Sequence, residues 1–113
     1  MPAAYIPDAG DVVWLEFDPQ AGHEQAGHRP ALILSPAAYN EKVGLAVCCP
    51  LSNKAKGYTF EVNVAFGKTT GVVLSDQVKS LDWRERKAKF KGKATATQLK
   101  RVRENIKALL AIE

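Results

Sequence analysis

Cysteine is almost missing from this chain of 113 residues: two occur, Cys48 and Cys49, and they are neighbours. Adjacent residues on a strand point to opposite faces, so these thiols are poorly placed to bridge each other, and a disulfide-stapled scaffold is excluded. They are expected to be reduced apolar filler. Histidine is equally scarce, with His23 and His28 the whole supply. Long apolar runs are missing too: the stretches Ala31 to Leu34 and Val43 to Cys49 fall far short of the roughly 20 residues that span a bilayer. The first residues lack the basic segment and apolar core of a secretory signal. The expectation is a cytoplasmic protein without a membrane segment. A Gly-x-Ser-x-Gly elbow, an internal repeat and a low-complexity segment are also lacking, which removes the usual sequence support for ester or peptide hydrolysis.

Apolar residues make up 46% of the chain and charged ones 25%, proportions that place it among ordinary globular domains rather than disordered ones. Its length suits one domain, residues 1 to 113, with one core. Charge is uneven. The first 56 residues carry 4 Lys or Arg against 6 Asp or Glu, and the remainder 12 against 6. A surplus of +6 in the second half points towards a polyanionic partner such as nucleic acid.

Hydropathy patterning predicts mainly β structure. Asp11 to Phe17 is β-branched and aromatic and stops at Asp18-Pro19. The pattern then vanishes until Pro30 opens a second strand, Ala31 to Ser35. Ser35-Pro36 reads as an N-cap before a short helical turn to Asn40, and a third strand follows near Val43 to Pro50. Tyr58, Phe60, Val62 and Val64 alternate with Thr59, Glu61 and Asn63, the signature of a half-buried strand. Gly67 to Gly71 reads as a turn, Val72 to Leu74 as a short strand, and Val78 and Leu81 as apolar anchors. Lys87, Lys89, Lys91 and Lys93 alternate with Ala88, Phe90 and Gly92, which predicts a strand with one all-lysine face and Phe90 turned inward. The period then changes: Leu99, Val102, Ile106, Leu109 and Leu110 fall at helical spacing over about Ala96 to Leu110, with Thr95 and Gln98 forming a capping box. Six short strands closed by one helix suggest a small curled antiparallel sheet or barrel.

The unpatterned stretch carries the chemistry. Gly22 to Pro30 reads Gly-His-Glu-Gln-Ala-Gly-His-Arg-Pro and gathers a carboxylate, an amide, two imidazoles and a guanidinium in nine residues. It is not a phosphate-binding P-loop, since His28-Arg29 stand where Lys-Ser or Lys-Thr belongs and a strand follows where a helix is required. It is not a zinc-protease motif either: one residue too many separates Glu24 from His28, so no metal and no cofactor is expected. What this set can support is chemistry on RNA phosphate. The substrate's own 2′-hydroxyl attacks, so only a base, an acid and a charge-stabilising cation are needed. Glu24, His28 and Arg29 can supply them. Arg29 stays protonated and is a poor proton acceptor but a good phosphorane stabiliser. Glu24 is favoured as the base, and His28, with a reference pKa of about 6.5, competes as base or acid or helps to position the substrate.

Four motifs carry a resemblance: Tyr5-x-Pro-Asp-x-Gly-Asp11, Glu24-Gln-Ala-Gly-His-Arg-Pro30, Lys56-Gly-Tyr-x-Phe-Glu-Val62, and Asp76-Gln-Val-Lys-Ser80 with Trp83-Arg84. In this order the chain resembles the MazF/PemK family of toxin endoribonucleases. The resemblance implies an SH3-like curled antiparallel β-barrel of the CcdB/PemK type with a C-terminal helix, a homodimer, metal-independent cleavage of single-stranded RNA, and inhibition by a cognate acidic antitoxin. It makes Arg29 catalytic together with a hydroxyl at Ser52, where close family members carry threonine. Asp76 and Gln77 match a segment that helps form the RNA groove, and Gln25, Lys56, Lys79, Arg84 and Arg86 are taken as further RNA contacts. The rival of the same fold is a non-enzymatic gyrase-binding poison. Such proteins engage gyrase through a tryptophan near the C-terminus, whereas the last one here is Trp83.

Overall fold

The computed structural model describes residues 4–16, 28–66 and 69–113. Seven strands and two helices follow in the order β1 (Asp11–Glu16), β2 (His28–Ile33), α1 (Ala37–Val43), β3 (Leu45–Ser52), β4 (Glu61–Phe66), β5 (Thr69–Leu74), a 3-10 turn (Ser75–Gln77), β6 (Lys79–Asp82), β7 (Lys89–Lys93) and α2 (Ala96–Leu109). All pairings are antiparallel, in the order β4-β5-β3-β2-β1-β7 with β6 added on β3. The long β3 changes partner along its length: Leu45 to Cys48 pair with β6, and Leu51 and Ser52 with β5. This switch lets one sheet curl into a half-barrel. The outer strands approach each other where Gly92 faces Phe66. A Cβ at Gly92 would stand 3.0 Å from the Phe66 Cβ, so the near-closure requires a residue without a side chain.

Alternation along the strands builds two cores. Val12, Leu32, Cys49, Leu51, Val62, Val64, Phe66 and Val73 line the concave face with Val102 of α2, and Leu99 and Ile106 pack against them. Val13, Leu15, Ala31, Ile33, Ala46, Cys48 and Trp83 form the second core on the reverse face, with Tyr5, Ile6 and Leu81. Each fully buried aliphatic side chain contributes roughly 1.5–3 kcal/mol relative to exposure. Cys48 and Cys49 lie on opposite faces as expected, and burial pushes the Cys48 thiol up to about 12. The capping box of α2 is present, with Gln98 N donating to Thr95 Oγ1 (3.1 Å) and Thr95 N to Gln98 Oε1 (2.9 Å).

Several local expectations shift. Pro36, not Ser35, is the N-cap of α1. The Ser35 hydroxyl instead donates to Asn40 Oδ1 (2.6 Å) and accepts from Val47 N (2.9 Å), while the buried Asn40 amide donates to Pro7 O and Ser35 O. A long-range polar knot replaces a local cap. Tyr58 and Phe60 precede β4, because the Glu61 carboxylate accepts from the backbone N–H groups of Lys56 and Gly57 and folds that segment into a loop. Thr69 to Gly71 belong to β5 rather than to a turn.

The lysine face is broken. The β1–β7 register slips between Val12 and Val13, leaving Lys91 without a partner. A bulge of this kind turns the strand, so Lys89 shares the face of Trp14 while Lys93 shares that of Asp11. Lys87 precedes the strand at φ 55°. Phe90 is 49% exposed and packs edge-to-face on Tyr5 rather than turning inward. At the end of α2, Leu109 and Leu110 are exposed, since the helix runs past the edge of the sheet core.

Candidate functional site

The β2–β3 ladder pairs Ile33 with Cys48, Leu32 with Cys49 and Ala31 with Pro50. Carried two residues further, the same register sets Arg29 opposite Ser52. Alternation then separates neighbours: Arg29 pairs with Leu15, and its face is that of the reverse core, while His28 pairs with Glu16 on the face of Trp14. Alternation assigns Arg29 and Ser52 to one face and His28 to the other, yet at the strand ends all three border one hollow. The Ser52 hydroxyl accepts from Lys54 N (3.1 Å), which leaves its proton free to donate.

His28 has its own setting. Its ring stacks on Trp14 at 6.1 Å between centroids and 28° between planes, and its Nε2 lies 3.8 Å from Glu16 Oε1. Lys91 Nζ stands 5.3 Å from the centre of the Trp14 ring. Trp14, His28 and Lys91, with Arg29 and Ser52, line a hollow of about 230 Å³. A second hollow of about 390 Å³ continues from Ser52, Asn53, Thr70 and Gly71 towards Asn63 and Gln98. Together they form one groove across the ends of β2, β3, β5 and β4.

The other expected site residues divide. Glu24 and Gln25 lie outside the described residues. Lys56 sits in the loop held by Glu61, beside Tyr58, whose hydroxyl donates to Asp76 Oδ1 (3.2 Å). Burial, then the Asp76 carboxylate, raises the Tyr58 pKa. Gln77, next to Asp76, has a buried Oε1 with no hydrogen-bond donor among the described residues. Lys79 is on β6 opposite Cys48, four residues along β3 from Ser52, roughly 13 Å at strand rise. Arg84 stacks on Trp83 and donates to Glu41 O (3.3 Å), which turns it to α1 rather than to the Ser52 groove. Arg86 donates to Glu16 O (2.7 Å) and its carbonyl accepts from Glu16 N, so it clips the end of β1. Among the described residues, no three His, Cys, Asp or Glu side chains group to hold a metal ion, and no helix is long and apolar enough to cross a membrane.

A family profile described as PemK-like, MazF-like toxin of type II toxin-antitoxin system matches residues 8–110. The chain belongs to that family. The endoribonuclease toxin MazF of Escherichia coli (strain K12) is 46% identical over 110 residues, covering 97% of this chain and 99% of that protein. Among solved structures, MazF from Deinococcus radiodurans aligns with a TM-score of 0.92 at 53% identity, covering 96% of this chain and 100% of that one. A MazE–MazF structure from the same organism aligns at a TM-score of 0.86 and 46% identity, covering 97% and 100%. The MazF-like fold, a curled antiparallel sheet with a C-terminal helix, is thus observed in both the strand order and the comparison.

Sequence reading missed Trp14, Asn53, Asn63 and Thr70 as groove residues. Trp14 sits in a run apolar on both faces, so nothing marked it as more than core. Asn63 was placed correctly on the polar face of an alternating strand, but which neighbour that face meets depends on pairing with β5.

Proposed function

We propose that this MazF-like chain is the toxin of a type II toxin–antitoxin pair and an endoribonuclease that cleaves single-stranded RNA at selected sequences without a metal. What supports this reading is that Arg29 and Ser52 border the same hollow, in a family whose relatives include named endoribonucleases. The substrate's 2′-oxygen attacks phosphorus as Glu24 takes its proton, the P–O5′ bond breaks, and the products are a 2′,3′-cyclic phosphate and a 5′-hydroxyl. Arg29 stabilises charge on the phosphorane through its planar fork of donors. Ser52 donates to a non-bridging oxygen and orients the phosphate. His28, turned to Glu16 and Trp14, positions the strand or returns a proton to the leaving oxygen. Asp76, Gln77, Lys56 and Lys79 flank the path of the RNA, and Gln25, next to Glu24 in sequence, is a further contact.

Cleavage should persist in excess chelator and stop when the nucleotide before the scissile bond is 2′-deoxy. Metal dependence, or cutting of the deoxy substrate, would end this mechanism. The MazE–MazF structure supports regulation by a cognate antitoxin, and the basic second half suits an acidic tail that orders on binding. Such a peptide, titrated into the protein with labelled RNA, should displace the RNA. Simultaneous binding of both would show that the antitoxin acts elsewhere. The working unit is taken to be a homodimer, which sedimentation at micromolar concentration would test.

A further inference from the structure

The part of the groove beyond Ser52 differs in chemistry from the part at Arg29. The β-ladders set Ser52 opposite Val72 on β5, and Val72 opposite Asn63 on β4. With Arg29 opposite Ser52, one row crosses four strands, from a guanidinium through a hydroxyl to an amide. At strand spacing, Ser52 and Asn63 are roughly 10 Å apart. The hollow between them measures about 390 Å³, and its walls are Asn53, Asn63, Thr70 and Gln98 with small apolar residues. Among the described residues, no lysine, arginine, aspartate or glutamate lines it. Gln98 Oε1 is engaged by Thr95 N, which orients the side chain and leaves its NH₂ as the donor. Among the described residues, the side-chain amides of Asn53 and Asn63 make no hydrogen bond, so both keep a donor and an acceptor available.

A stretch of groove walled by amides rather than cations gains less from phosphate than the stretch at Arg29 does. Amides offering donor and acceptor together match the edge of a base, and unpaired bases are what proteins read in single-stranded RNA. We infer that Asn53, Asn63 and Gln98 form a nucleobase subsite that reads one unpaired base on the side of the scissile phosphate away from Arg29, and so sets part of the cleavage preference. This rests on the endoribonuclease reading. The division of labour follows from the charges: Arg29 and the lysines hold the backbone, and the amide hollow holds a base.

The test is cleavage-site mapping on a long RNA of mixed sequence with the native protein and two variants. The native protein should show a preferred base at a fixed distance from the cut. The double variant Asn53→Ala, Asn63→Ala should relax that one position by roughly 5- to 150-fold, the discrimination of one good bidentate contact, while preferences elsewhere and the slope of affinity against salt stay unchanged. Asn63→Asp keeps the size but offers only acceptors, so preference there should move towards bases presenting an amino donor, as cytosine does. That change of preference also decides the matter if the double variant does not fold. An unchanged profile in a folded variant, or a loss of rate equal at every sequence, overturns the subsite. So does an unchanged profile with an altered oligomeric state, which would make the hollow an interface between copies. A native protein that cuts no RNA removes the endoribonuclease reading and the subsite with it.

Discussion

Arg29 and Ser52 are 23 residues apart in the chain and border one hollow, and each is asked to do something different. A guanidinium that acts on charge developing in the transition state should matter more for rate than for binding. Arg29→Ala is therefore expected to lower turnover by about 100- to 1000-fold, with a much smaller loss of RNA affinity. Arg29→Lys should rescue poorly, because an ammonium cannot reproduce the fork. Single-turnover rates and binding constants measured on one oligonucleotide separate the cases. Equal losses in both would make Arg29 a phosphate anchor.

Strand β7 shows how one slipped residue redistributes charge. Lys89 and Lys91 stand on the side of Trp14 and the groove, whereas Lys93 Nζ lies 2.9 Å from Oδ1 of the buried Asp11. Asp11 also accepts from Tyr5 Oη (2.6 Å) and Asp8 N (3.0 Å), and the bond to Asp11 raises the Lys93 pKa. Exchanging Lys89 and Lys91 for glutamine should weaken single-stranded RNA binding at all sequences and flatten the salt slope by roughly 0.7 per lost phosphate contact. Lys93→Gln should leave the slope alone and lower the melting temperature, since it removes the partner of a buried carboxylate. If all three substitutions behaved alike, the bulge would not be sorting the lysines.

For the molecule as a whole, the polar ties that hold α1 and the N-terminal segment to the sheet depend on pH. Asp8 Oδ1 accepts from Ala37 N and Ala9 N, both at 2.9 Å. These backbone bonds, Ala37 first, hold the Asp8 carboxyl below its ordinary value. A carboxylate with a depressed folded pKa contributes stability that is present above its unfolded value of about 3.9 and is lost as pH falls through the folded value. Thermal melts of native protein and Asp8→Asn should therefore differ above about pH 4 and converge in stronger acid. A difference that grew on acidification would assign the acid limb to other groups.

Local signals in this sequence are periods and caps, and they were read correctly at Cys48 and Cys49 and at the start of α2 but not at Ser35 or at Tyr58 and Phe60. The opposite faces of Cys48 and Cys49 follow from alternation, the start of α2 from Thr95 and Gln98, and the family from four motifs in order. What adjacent residues cannot specify is which strand lies beside which. The pairing of β2 with β3 that brings Arg29 and Ser52 to one hollow, the slip that parts Lys93 from Lys89, and the turning of Arg84 to α1 and Arg86 to β1 all depend on partners brought together by burial of two cores. Register is a property of pairs of strands, selected because a shift of one residue would turn each apolar face outward. The sequence therefore determined the chemistry available and the fold that carries it, while tertiary structure alone decided that Arg29 and Ser52, far apart in the chain, border one hollow together with His28.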